Sequence, residues 1–174
     1  MTGREFLNAV ANGETDLLQV LLDVLDETGA GHCVIGGLAV NAYVEPVVSL
    51  DLDVVVATDR VDDVAQAAAA RGLRVERFPH SVNLSAAGSD LRIQLRTDPR
   101  YQDFLPRAEP RTVLGYPLRV AAVEDVLQGK LWAYQDETRR PSKRQKDLAD
   151  LARLVEARPE LAERLPEAVR VRLA

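Results

Sequence analysis

The stretch "SLDLDVVV", residues 49 to 56, reads as a buried strand with two carboxylates written into it. A strand alternates faces, so Asp51, Asp53 and Val55 point one way while Leu52, Val54 and Val56 point the other. Like charges two residues apart on one face repel, and a bare charge among Val and Leu is costly. Such a strand needs something positive between its carboxylates, or an end open to water. Upstream, "VIGGLAV" places Gly36 and Gly37 between an apolar strand and a helix. Glycines there let the backbone approach a ligand closely, and the amides that open a helix favour phosphate. A glycine pair at a strand end also serves as a plain tight turn; the acidic strand that follows gives it a chemical reading. Together they suggest a phosphate cradle at Gly36 and Gly37 beside a metal site at Asp51 and Asp53. Mg²⁺ (or Mn²⁺) takes hard oxygen ligands from one or two carboxylates completed by phosphates and water. A divalent cation there also offsets the carboxylate repulsion. A solvated sheet edge is the plainer arrangement for the same two residues.

The rest of the chain supplies a sheet for that strand. Helices are expected over residues 4–12 and 15–28, the second from Leu17, Leu18, Leu21, Leu22 and Leu25 at helical spacing, with Thr15 as N-cap. "CVIGG" follows as a short strand and "LAVNAY" as a helix, which "EPVV" breaks ahead of the acidic strand. Thr58 or Asp59 caps the next helix, closed by Gly72. "LRVERF", "SVNLSA" and "DLRIQLRT" read as strands, the last two as a hairpin around "AGS", and "TVLGYPLRVAA" as a short strand pair or extended entry. A helix "VEDVLQGKLWAYQD", a basic loop "ETRRPSKRQ", a helix near 144–157 and a terminal helix "LAERLPEAVRVRLA" complete the chain. This order gives an α/β (α+β) fold, a sheet flanked by helices with a C-terminal helical portion. The core is placed at residues 1–115 and a helical lobe packed on it at 116–174, with no flexible linker between them.

Composition narrows the functional classes. The net charge of −5 over 174 residues excludes a generally basic nucleic-acid coat. The single cysteine, Cys33, excludes an internal disulfide framework and is expected in the core. No apolar run reaches the ~18 residues needed to span a bilayer, and the N-terminus lacks a signal-like stretch. A cytoplasmic protein without membrane contact is expected. Against this acidic average, "RRPSKRQK" gathers Arg139, Arg140, Lys143, Arg144 and Lys146. The cluster could steer a triphosphate or an RNA backbone, although a charge run is more commonly a solvated loop and first helical turn. His32 and His80 lack zinc-ligand spacing. Trp132 and Tyr134 read as packing residues, with base stacking open to Tyr134.

Val123, Val126, Leu127, Leu131 and Tyr134 make one apolar stripe by helical spacing, and Lys130 falls inside it. Stranding a lysine charge there is costly, so it needs a partner or must snorkel to the surface. Asp147, aligned with Leu151, Leu154 and Arg158 on the final helix, is the natural candidate.

These motifs resemble a known family. "GGLAVNAYVEPVVSLDLDVVV" is similar to the nucleotidyltransferase-fold signature, in which a Gly-Gly or Gly-Ser turn precedes a strand bearing Asp-x-Asp. More narrowly it resembles the AbiEii/AbiGii (MenT-like) nucleotidyltransferase toxins, which also carry Ile/Val-x-x-x-Lys-x-x-Ala and Asp-x-x-Asp segments. Here "VLQGKLWA" supplies Val126, Lys130 and Ala133, and "DLAD" supplies Asp147 and Asp150. The resemblance implies a nucleotidyltransferase-like mixed sheet and a Mg²⁺-dependent transfer of a nucleotide from an NTP. Asp51 and Asp53 would hold the metal, Gly36, Gly37 and Lys130 would meet the nucleotide, and Asp147 would hold Lys130 or act as a base. The acceptor implied is an RNA, such as a tRNA 3′ end, or a protein hydroxyl, and the partner a cognate antitoxin.

One departure stands out. The wider fold often adds a third carboxylate on a neighbouring strand, and "DLRIQLRTD" presents Arg92, Gln94 and Arg96 on the relevant face. A glutamine cannot act as a general base near neutral pH; Asp90, Asp98 or Asp147 are the substitutes. A non-catalytic nucleotide-binding or antitoxin-like module of the same fold is the alternative this leaves. Kinase-like use of ATP and a partner-binding protein with no nucleotide site are the others.

Overall fold

The computed structural model describes residues 1–13 and 15–174. Two helices lead: α1 (Gly3–Val10), closed by a Thr2–Glu5 capping box, and α2 (Leu17–Thr28). The N-cap of α2 is Asp16, whose carboxylate accepts from the Gln19 amide, rather than Thr15. A carboxylate also suits the positive helix start, so the stronger cap lies one residue on. Gly29, with φ +61°, ends α2 as expected of a C-terminal glycine.

Then follow β1 (His32–Ile35), α3 (Gly36–Val40), β2 (Asp51–Val56), α4 (Val61–Ala70), β3 (Arg74–Phe78), β4 (Ser81–Ser85), β5 (Arg92–Arg96), α5 (Pro99–Gln102), β6 (Glu109–Val113) and β7 (Tyr116–Val120). The N-cap of α4 is Arg60 without a side-chain bond, not Thr58 or Asp59; Asp62 and Asp63 in the first turn offset the helix dipole instead. Helices α6 (Val123–Gln135), α7 (Pro141–Ala157) and α8 (Glu167–Leu173) close the chain.

The strands form one seven-stranded mixed sheet in the order β3-β4-β5-β2-β1-β7-β6. Strand β2 runs antiparallel to β1 and parallel to β5, and β1 runs parallel to β7. Leu52, Val54, Val55 and Val56 are buried, as are Ile93 and Leu95 beside them. Each such side chain contributes about 1.5–3 kcal/mol, which makes the centre of the sheet the firmest part of the fold. Residue 115 falls in the turn between β6 and β7, where Leu114 and Gly115 both take positive φ, and β7 lies within the sheet. The boundary expected at residue 115 therefore falls inside one hairpin of the sheet.

Two C-terminal expectations are corrected. Helix α7 begins at Pro141, so Lys143, Arg144 and Lys146 are helical and only Arg139 and Arg140 lie in the connection. Proline at the first helical position removes an amide that has no partner there anyway, which is the start signal the basic run obscured. The terminal segment is a 3₁₀ turn (Pro159–Arg164) and α8, parted at Pro166, and not one helix. Among the described residues no helix is long and apolar enough to cross a membrane.

Candidate active site

Strand β1 ends opposite the acidic strand, with Ile35 paired to Asp53. The bend that follows is thereby placed against that carboxylate. Gly36 has φ +71°, and a Cβ built on it would stand 2.8 Å from Asp53 Oδ2. Backbone conformation and close approach thus both require glycine at this position. Gly37 is different: its φ is ordinary, and a Cβ there would meet Ser49 Oγ at 3.5 Å. It faces Ser49, whose hydroxyl donates to the Asp51 carbonyl at 3.2 Å.

The charges on β2 are balanced from within the chain. The parallel register sets Asp51 beside Arg92, Asp53 beside Gln94 and Val55 beside Arg96. Arg92 Nε lies 2.8 Å from Asp51 Oδ1, Lys143 Nζ donates to Asp51 Oδ2 at 2.6 Å, and an Arg96 guanidinium nitrogen lies 3.3 Å from Asp53 Oδ1. Burial pulls the Asp51 carboxyl up, but the Lys143 ammonium and the Arg92 guanidinium outweigh it and hold it below the ordinary carboxylate value. The sequence places Arg92 and Arg96 with Gln94 on one face of β5 but does not pair them with the aspartates. The signal was there: Arg-x-Gln-x-Arg and Asp-x-Asp share a period of two, and adjacent strands bring such patterns together.

Lys130 does face Asp147, and does not snorkel. Its ammonium donates to Asp147 Oδ1 at 3.0 Å and stands 2.7 Å from Asp150 Oδ2, with its side chain only 8% exposed. The Asp150 contact is a charge contact without hydrogen-bond geometry. Arg139 donates to Asp147 Oδ2 at 2.7 Å and Arg153 to Asp150 Oδ1 at 2.8 Å. Both Asp147 oxygens are therefore occupied, one by Lys130 and the other by Arg139. Arg153 continues to the Glu45 carbonyl at 2.5 Å and Asn41 Oδ1 at 3.3 Å. Asn41 in turn brackets Val47 through both its amide atoms. One charge network thus ties α6 and α7 to the loop that delivers β2. Asp150, Arg139 and Arg153 were not read as its members, because contacts across packed helices are not encoded in spacing along either one.

Three adjoining cavities meet at Arg96 and Arg139. A narrow cleft of about 40 Å³ brings together Gly36, Asp53, Lys130 and Asp147. On one side a cavity of about 420 Å³ is lined by Asp51, Asp53, Arg92 and Lys143. On the other a cavity of about 380 Å³ holds Arg100, Tyr101, Trp132 and Asp136. Tyr134 is buried elsewhere, its hydroxyl accepting from Arg172, and the aromatic rings that line this cavity are Tyr101 and Trp132. The largest cavity, about 620 Å³ between α2 and the β6–β7 hairpin, holds none of the catalytic candidates.

A match to a family model over residues 32–174 decides the family; it is described as nucleotidyl transferase AbiEii toxin, type IV toxin–antitoxin system. The chain belongs to the AbiEii nucleotidyltransferase toxin family. The matched span runs from the first residue of β1 to the C-terminus and takes in every residue of the cleft. A comparison with curated proteins finds no match. Solved structures share the fold. The antibiotic-resistance factor ANT(2'')-Ia superposes with a TM-score of 0.66 at 19% identity, covering 90% of each chain. The lincosamide adenylyltransferase LnuA, with lincomycin bound, gives 0.57 at 12% identity over 83% of this chain and 99% of its own. An antigenic nucleotidyltransferase-like protein from Paracoccidioides brasiliensis gives 0.53 at 18% identity, covering 80% of this chain and 74% of its own.

For this AbiEii-family chain the carboxylate pair fits a divalent cation of the Mg²⁺ class. Asp53 is engaged by Arg96 at Oδ1, and its Oδ2 turns to the bend that a side chain at Gly36 would fill. Among the described residues no group of three or more His, Cys, Asp or Glu is placed to hold a metal. An ion held by this pair would draw its other ligands from phosphate and water. Gln94, opposite Asp53, donates to Ser81 Oγ at 3.3 Å. Asp90 bonds Asn12 and Asp98 caps α5 while pairing with Arg100, so these two substitute acids are committed outside the cleft and only Asp147 of the three lines it.

Proposed function

We propose that this protein transfers a nucleotide from an NTP to a hydroxyl of RNA, with tRNA 3′ ends among the acceptors, as the toxin of a toxin–antitoxin pair. The observation that carries the reading is the convergence of Gly36, Asp53, Lys130 and Asp147 on one cleft beside Asp51. In the reaction the acceptor oxygen bonds to the α-phosphorus, the bond to the β-phosphate oxygen breaks, pyrophosphate leaves and the hydroxyl proton passes to solvent. Such transfers ask a protein chiefly for positioning and charge stabilisation. Asp51 and Asp53 would hold Mg²⁺ (or Mn²⁺), which would neutralise phosphate charge. Gly36 lets the phosphates approach the backbone, and Lys130, fixed by Asp147, faces the charge that develops on them.

The walls favour an anionic acceptor. Arg92, Arg96, Arg100, Arg139 and Lys143 line the adjoining cavities of a chain whose net charge is −5. Asp51, Asp53, Glu76 and Asp136 line the same cavities, and with Asp51 and Asp53 taken up by a metal the basic side chains would draw in a polyanion more than a polycation of the aminoglycoside kind. Incubation with each α-labelled NTP and total RNA, protein extract or an aminoglycoside tests this. Label in RNA that disappears in Asp51→Ala supports the reading, and label only in protein or antibiotic overturns the acceptor assignment. NTP binding with no transfer to any acceptor would favour the non-catalytic alternative, to which the missing acid at Gln94 points.

A further inference from the structure

The two lysines of the site differ in how firmly they are held. Lys130 is buried between Asp147 and Asp150 on packed helices. Lys143 stands in the first turn of α7 and reaches across to β2, where its Nζ donates to Asp51 Oδ2 at 2.6 Å. Its side chain is 35% exposed and that of Asp51 34%, and both line the cavity of about 420 Å³. An ion pair this open is broken at little cost, and lysine carries its charge on a flexible four-carbon stem. The other oxygen of Asp51 is engaged by Arg92, whose side chain is 70% exposed. Both oxygens of one expected metal ligand are therefore occupied by solvent-accessible protein cations.

We infer that Lys143 is an exchangeable counter-ion, held by Asp51 until a divalent cation takes that carboxylate and then passed to the phosphates of the NTP. The inference rests on the reading of Asp51 and Asp53 as the metal-bearing pair. An ammonium at hydrogen-bond distance and a doubly charged ion cannot share the same carboxylate oxygen without strong mutual repulsion. Displaced, the ammonium finds its nearest anion in the triphosphate that the ion itself recruits. Lys143 thus opposes the metal alone and favours metal and NTP together, a positive coupling between two ligands. Arg92 acts in the same sense at the other oxygen. The device keeps the site from filling with cation when no nucleotide is present.

Mn²⁺ binding, followed by electron paramagnetic resonance with and without α,β-methylene NTP analogues, separates the two effects. Lys143→Met is expected to bind Mn²⁺ alone roughly two- to fivefold more tightly than wild type, and the analogue at saturating Mn²⁺ weaker by a similar factor, the size expected of a partly exposed ion pair. Lys143→Arg keeps the cation and is expected to retain the coupling. Arg92→Gln, on a different element, is expected to tighten Mn²⁺ alone as well, so the inference does not depend on one variant folding. A purely structural lysine would move both affinities in the same direction. That outcome, or unchanged Mn²⁺ affinity in both Lys143→Met and Arg92→Gln, overturns the inference while leaving the active-site reading intact. A wild-type chain that binds neither Mn²⁺ nor any analogue overturns both.

Discussion

Asp53 Oδ2 lies where a side chain at Gly36 would have to go, 2.8 Å from a Cβ built there. The contact joins the two parts of the motif that are separated in sequence, and it is produced by the antiparallel pairing of Ile35 with Asp53. The bend and the acid are therefore one unit, and a change in either is felt at the other.

Gly36→Ala is accordingly expected to destabilise the protein by about 1–3 kcal/mol from backbone strain alone, before the contact with Asp53 is added. Gly37→Ala, with ordinary φ and ordinary contact distances, is expected to stay within about 0.5 kcal/mol of wild type. Thermal unfolding of the two variants checks this. Equal losses at both positions would contradict the assignment of the strained, close-packed role to Gly36 alone.

Lys130 is both the expected phosphate-facing cation and the centre of a buried charge network. Removing it leaves Asp147 and Asp150 facing each other, with Arg139 and Arg153 as their remaining counter-ions. Lys130→Met is expected to cost on the order of 3 kcal/mol, and combination with Asp150→Asn to recover part of that loss. Denaturant unfolding of the single and double variants measures the coupling. Additive losses would show that lysine and aspartate do not depend on one another.

The acid side of the stability curve reports on Asp51. Its carboxyl is held below the ordinary value of 3.8 by Lys143 and Arg92 against the pull of burial. A group depressed in this way contributes stability that is present above its unfolded value and is lost as pH falls through the folded one. Wild type is therefore expected to lose stability more steeply than Asp51→Asn as pH falls below about 4. Matching slopes for the two proteins in acid would exclude the contribution.

Cys33 is fully buried on β1, and burial pushes its thiol up to about 12. At neutral pH it is protonated and enclosed, so a thiol reagent is expected to label it only on unfolding. Rapid labelling of the native protein would contradict its place in the sheet.

The sheet was legible because Asp51, Asp53 and their Val and Leu neighbours alternate with a period of two; for Lys130 the apolar stripe left a buried partner or a route to the surface, and the family motif pointed to Asp147. What could not be read was pairing between elements. Arg92 and Arg96 reach Asp51 and Asp53 only through the parallel register of β5 on β2. Lys143 reaches Asp51 from the first turn of α7, which starts at Pro141. The carboxylates that called for a metal in the sequence already have counter-ions in the fold. That division of labour follows from geometry that no local pattern carries.

The most direct measurement is transfer of α-labelled NTP to RNA by wild type and by Asp53→Asn, with folding of both confirmed by thermal unfolding. Labelled RNA with wild type, dependent on Mg²⁺ or Mn²⁺, and none with folded Asp53→Asn is the predicted result. Undiminished labelling by folded Asp53→Asn would contradict the central role given to the carboxylate beside the glycine bend.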